Sequence, residues 1–126
     1  MKTVMAIALG GAFGAVARHF IELWSGMVLG DGFPWGTLMV NVVGCFAMGV
    51  LVELMALAWL PSVEMRAFLT VGILGALTTF STFSLDIAVL HDRGETLLAA
   101  SYVLGSVVAS IVAIFAGLAV MRAILQ

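Results

Sequence analysis

Long apolar runs broken by short polar punctuations organise this chain from end to end. A helix that crosses the hydrocarbon core of a bilayer needs about 20 predominantly apolar residues. The runs near Thr3 to Met27, Gly36 to Leu60, Met65 to Leu90 and Thr96 to Ile124 each reach that length. Between them lie "GDGFPWG", "LPSVE" and "HDRGE", which hold turn formers and most of the charge. Connections this short force neighbouring spans to run antiparallel. Trp24, Trp35 and Trp59 fall near span ends, where indole rings favour the headgroup zone. The pattern predicts an all-α membrane protein, a single four-helix transmembrane domain over residues 1–126.

Composition agrees with the pattern and narrows the function. With 63% hydrophobic and 10% charged residues, the chain lacks the charged shell of a soluble domain, so lipid is its outer solvent. A net charge of -2 with no Lys/Arg cluster argues against a nucleic-acid partner. Cys45, the only cysteine, forms neither an internal disulfide nor a cysteine-based metal site. Lys2, the apolar run after it and "AVA" at Ala15 to Ala17 imitate a signal peptide. The glycine-rich "ALGGAFGA" instead matches a helix-packing face, which favours a retained membrane helix.

Four spans place Lys2, Arg66 and Arg122 on one side and Arg18 and Arg93 on the other. Lys/Arg asymmetry sets orientation, so a chain this balanced is suited to insert both ways and to pair as an antiparallel, dual-topology homodimer. A single orientation with a weak signal stays open. Gly105, Ala109, Ala113 and Gly117 form a small-residue row at four-residue intervals, and Gly10 and Gly14 do the same in the first span. Each row serves oligomerisation or packing within one subunit equally well.

The third span carries the unusual chemistry. In "GALTTFSTFSLD", Gly75 to Asp86, hydroxyls crowd around Phe80 and Phe83 at membrane depth, where unsatisfied polar groups cost several kcal/mol. Gly75 with β-branched and hydroxyl residues weakens regular helical hydrogen bonding, so a broken third helix is expected, its freed carbonyls and amides suited to hold ions. Phe80 and Phe83 share one side, as core packing or as ring edges offered to a small anion. Asn41, in "TLMVNVVGCF", is an amide donor or interhelical glue, and Thr37 extends its face by one turn. Tyr102, Ser106 and Ser110 make a hydroxyl stripe on the fourth span, a track for an anion or hydroxyls bonded to their own helix. Arg18 and Asp86 lie toward span ends, where a vestibule would open. Neither a catalytic constellation nor a phosphate-cradling loop is present, so an enzyme is not expected.

Taken together, "GGAFGAVARHF", "GTLMVNVVGCFAMG" and above all "GALTTFSTFSLD" resemble the Fluc/CrcB family of small bacterial fluoride channels over nearly the entire chain. The resemblance implies an antiparallel dual-topology homodimer in the cytoplasmic membrane with two fluoride pathways. It implies that Phe80 and Phe83 line each pathway with ring edges, that Asn41 donates from its amide, and that Tyr102, Ser106 and Ser110 form the polar track. Backbone carbonyls of Gly75 and Thr78 would hold a central structural sodium that is not transported. Asp86 stands where the family often has glutamate, and His19 where an aromatic residue is common. The rival functions are a small multidrug or metabolite exporter, which needs an acid deep in the membrane whereas Glu22 and Glu53 lie toward the ends of their spans, and a non-transporting membrane interaction subunit.

Overall fold

A computed structural model describes residues Met1–Gln126. The helices are α1 (Lys2–Leu29), α2 (Trp35–Leu57), α3 (Val63–Ala67), a π-helical segment (Phe68–Leu74), α4 (Gly75–Leu77), α5 (Ser81–Asp92) and α6 (Thr96–Leu125). The π segment and α3 to α5 together make the third span, Val63–Asp92, so four helical spans are long and apolar enough to cross a membrane. At 1.5 Å per residue the longest continuous helix, α6, extends for about 45 Å, enough to pass the hydrocarbon core and reach both headgroup layers.

Local chemistry explains the boundaries. Helix α2 stops at Leu57 rather than continuing to Leu60, because Leu60 precedes Pro61 and the α conformation is disfavoured there. The third span then starts earlier than the apolar run, at Val63, because the Ser62 hydroxyl accepts from the Met65 N–H at 3.2 Å and caps α3. Gly30 and Gly94, with φ of 80° and 78°, turn the chain out of α1 and α5 through the left-handed region that side chains avoid.

Two backbone-on-backbone seams hold the subunit together. Helices α2 and α6 run parallel in close contact: a Cβ on Gly49 would strike the Ile114 carbonyl oxygen, and one on Gly117 would strike that of Phe46. At the end of this seam Arg122 Nε donates to the buried Glu53 carboxylate at 2.7 Å. Helix α1 packs on the π segment, where Gly72 and Gly10 meet so closely that a Cβ on Gly72 would lie 2.8 Å from the Gly10 Cα. In lipid, where water drives no helix association, such close van der Waals packing is the main adhesive.

The small-residue rows divide accordingly. Gly10, Gly14, Ala113 and Gly117 are buried inside the subunit, whereas Gly105 is exposed and a Cβ there would meet nothing within 4 Å. A four-residue interval overshoots the 3.6-residue turn by about 40°, so from Gly105 to Gly117 the row drifts about 120° around the helix and its two ends serve different surfaces. Only 20 of 126 residues are buried, and the apolar exterior of every span is left for lipid or for another protein.

Candidate functional site

The site is built around the only non-helical stretch within the third span. Thr78 is extended (φ -78°, ψ 152°), α4 ends before it, and α5 begins at Ser81. Two polar groups that an uninterrupted helix would pair internally are engaged elsewhere. The Thr79 N–H donates to Asn41 Oδ1 at 2.8 Å instead of to the Gly75 carbonyl. The Thr82 N–H donates to Thr79 Oγ1 at 3.1 Å instead of to the Thr78 carbonyl. Gly75 and Thr78 thus each lose their ordinary helical donor, which frees two oxygens suited to a hard cation.

Asn41 closes a two-point contact by also donating from Nδ2 to the Thr79 carbonyl at 3.0 Å. Across the sequence this pairing joins α2 to the third span at a separation of 38 residues. Thr79 Oγ1 further meets the hydroxyls of Ser81 and Thr82, both at 3.2 Å, so one threonine organises the first turn of α5. Gly44, one turn beyond Asn41, lets α2 approach: a Cβ there would strike the Thr78 methyl group.

A cavity of about 460 Å³ opens beside this segment, lined by Asn41, Cys45, Gly75, Thr78, Phe80, Phe83, Ser106 and Ser110 among others. The Phe80 and Phe83 rings lie 5.5 Å apart at 50°, the first 77% exposed and the second only 6%. Ser106, 3% exposed, has a hydroxyl with no hydrogen-bond partner, although such groups in a buried setting are normally satisfied. It is a donor held in reserve on the cavity wall.

A second cavity of about 270 Å³ lies toward the ends of α1 and α5, with Glu22, Asp31, Thr37, Thr82, Asp86 and Arg93 in its wall. Tyr102, 1% exposed, stands against Phe83, their rings 5.2 Å apart, and donates its hydroxyl to Asp86 Oδ2 at 3.0 Å. Phe33 presses on it edge-to-face at 5.4 Å. Thr37 and Asn41 are one helical turn apart on α2, as are Tyr102 and Ser106 on α6, so polar groups run in step from one cavity to the other.

The expected residues therefore fall into three groups. Asn41, Gly75, Thr78, Phe80, Phe83, Ser106 and Ser110 meet at the larger cavity, and Thr37 and Asp86 at the smaller, with Tyr102 bridging through Asp86. Arg18, partly exposed on α1, lines neither. Sequence reasoning missed Thr79, the hub of the interrupted segment, because five neighbouring hydroxyls look alike until the partner helix is in place. It also missed Cys45 on the larger wall, which at one turn from Asn41 was readable from helical spacing.

These features define a class: a small multi-pass membrane protein in which two phenylalanines of the third span, an asparagine and several hydroxyl side chains border a cavity. The chain belongs to the CrcB family, whose model, described as CrcB-like protein, Camphor Resistance (CrcB), matches residues 5–118. It is 52% identical over 122 residues to a protein of Rhodospirillum centenum named fluoride-specific ion channel FluC, covering 97% of both chains. A protein of Agrobacterium fabrum with the same name is also 52% identical, over 97% of this chain and 98% of its own. One from Chelativorans sp., again of that name, is 53% identical over 99% of this chain and its full length.

Proposed function

We propose that this protein is a passive, fluoride-selective channel of the bacterial cytoplasmic membrane, working as an antiparallel dual-topology homodimer. The observation that carries the reading is the larger cavity. In a chain about half identical to named fluoride channels along its whole length, it gathers two phenylalanines, an amide and an unpartnered serine hydroxyl without any charged side chain.

Fluoride is small, strongly hydrated and a strong hydrogen-bond acceptor, so its water must be replaced by several weak donors, none of which traps it. Ser106 and Ser110 supply hydroxyls, and the positive edges of Phe80 and Phe83 supply polarity without a full charge. Thr37 continues the donor line toward the smaller cavity, where the Tyr102 hydroxyl is already given to Asp86, and Arg18, outside that wall, supplies positive charge that draws anions toward the mouth. The interrupted third span is, on this reading, a functional break. Its two released carbonyls, at Gly75 and Thr78, are the groups of this chain that would hold a structural sodium at the axis of two copies. A cation held by them would supply the positive charge that their unpaired oxygens lack at membrane depth. Hydrogen fluoride enters a cell as a neutral molecule and dissociates in a less acidic cytoplasm. A passive pore lets the anion leave down its gradient and the inside-negative potential.

The test is anion efflux from liposomes holding the purified protein, fluoride against chloride, with sodium present. Fluoride released in seconds to minutes, with chloride retained, is the expected result. Retention of both anions by folded protein would overturn the channel. Proton-coupled uptake of an organic cation that Glu22→Gln abolishes would then point to an exporter, and absence of any transport to an interaction subunit.

A further inference from the structure

Asn41 has two hydrogen-bonding functions on its amide, and the structure uses both on the backbone of one residue. An oxygen that accepts from Thr79 N–H and a nitrogen that donates to Thr79 C=O reproduce the two-way pairing that a neighbouring strand would offer. A carboxamide carries donor and acceptor side by side on one planar group that is neutral at every physiological pH. Thr79 in turn caps the Thr82 N–H and binds the Ser81 and Thr82 hydroxyls, which fixes the first turn of α5. Phe80 and Phe83 sit on that turn. From these contacts we infer that Asn41 acts on fluoride through Thr79: it is a positioning residue that holds the extended segment and thereby aims both phenylalanine rings at the cavity. The inference rests on the channel reading and changes what Asn41 does within it, from a group that binds the ion to one that sets the wall.

The alternative, direct donation to the ion, has one Nδ2 hydrogen left to use, since the other goes to Thr79. The two roles separate in Asn41→Asp. A carboxylate still accepts from the Thr79 N–H but faces the Thr79 carbonyl with a negative oxygen, while a protonated aspartic acid regains the missing donor. Cys45 is the one titratable side chain in the wall of this cavity. Glu22, Asp31, Asp86 and Arg93 line the other, and the Tyr102 hydroxyl is committed to Asp86.

The experiment pairs two measurements on wild-type protein and Asn41→Asp, both confirmed as the same oligomer by size. Planar-bilayer recording, which is blind to neutral hydrogen fluoride, gives fluoride current from neutral pH down to about pH 5. Amide hydrogen exchange gives the protection of Thr79 and Thr82 in fluoride-free buffer. The variant is expected to lose about 100-fold in current at neutral pH and to regain at least about tenfold in acid, with exchange at those amides about tenfold faster than wild type at neutral pH. Lost current with unchanged exchange would assign Asn41 to the ion directly and overturn the inference. If Asn41→Asp does not fold, Thr79→Val removes the α5 cap but keeps the backbone pair; unchanged Thr82 exchange in that variant equally overturns it. A wild-type protein without fluoride current would instead sink the channel reading, while the exchange data would still decide whether Asn41 holds Thr79.

Discussion

Exchanging Phe80 and Phe83 together for isoleucine is expected to lower fluoride current by about a hundredfold. Quadrupole contacts in an aromatic pair contribute about 0.5–1.5 kcal/mol beyond area burial, and a ring edge that favours the passing anion by the upper end of that range is worth about a factor of ten in rate. Isoleucine keeps the cavity apolar but has no polar edge, so the change isolates the ring's charge distribution from its bulk. The single variants should differ in a second respect. Phe80 is largely exposed on its own subunit and touches only Phe83 among the aromatic groups, so Phe80→Ile should leave the packing within the subunit intact. Phe83 is buried against Tyr102, and Phe83→Ile should lower the melting temperature as well as the current. Currents equal to wild type in the folded double variant would remove the rings from the pathway.

The largest loss of stability is expected from Gly117→Val. Its Cβ would overlap the Phe46 carbonyl oxygen and crowd the Val50 nitrogen, and these are backbone atoms that cannot turn aside. Overpacking of a close-packed interior costs about 1–3 kcal/mol where side chains adjust, and two rigid helices adjust less, so the α2–α6 seam should part. Purified Gly117→Val is expected to be heterogeneous by size and to melt well below wild type. Gly105→Ala, on the same helix but with open space at its Cβ, is the control and should leave the subunit's own packing intact. A Gly117→Val protein as stable as that control would show that the seam is not what holds the subunit.

The four spans were legible because hydropathy and length alone dictate them, and proline, serine and glycine at the connections adjust their ends by a few residues. The polar character of the third span was equally plain, since hydroxyls and phenylalanines at membrane depth have few uses. The π-helical turn Phe68–Leu74 was not, because nothing in "FLTVGIL" demands a wider helix; the close approach of Gly72 to Gly10 belongs to a contact between spans. Asn41 carried two readings, ion donor and interhelical glue, and the structure shows its amide bonded across helices to a backbone 38 residues away. Tyr102 and Asp86 were each singled out, yet their hydrogen bond depends on how α5 lies against α6. Periodicity reports which side of a helix a residue occupies, whereas pairing depends on which helix arrives opposite.

That long-range clamp also bears on how the protein is made. A ribosome completes Asn41, and the whole of α2 after it, before Thr79 exists. When the hydroxyl-rich third span leaves the insertion machinery, a partner for its unpaired peptide group is already standing in the membrane. The order of the spans along the gene therefore spares the hydroxyl-rich stretch of the third span from waiting alone in lipid, and a circularly permuted version that inserted α2 last would meet that penalty at every round of synthesis.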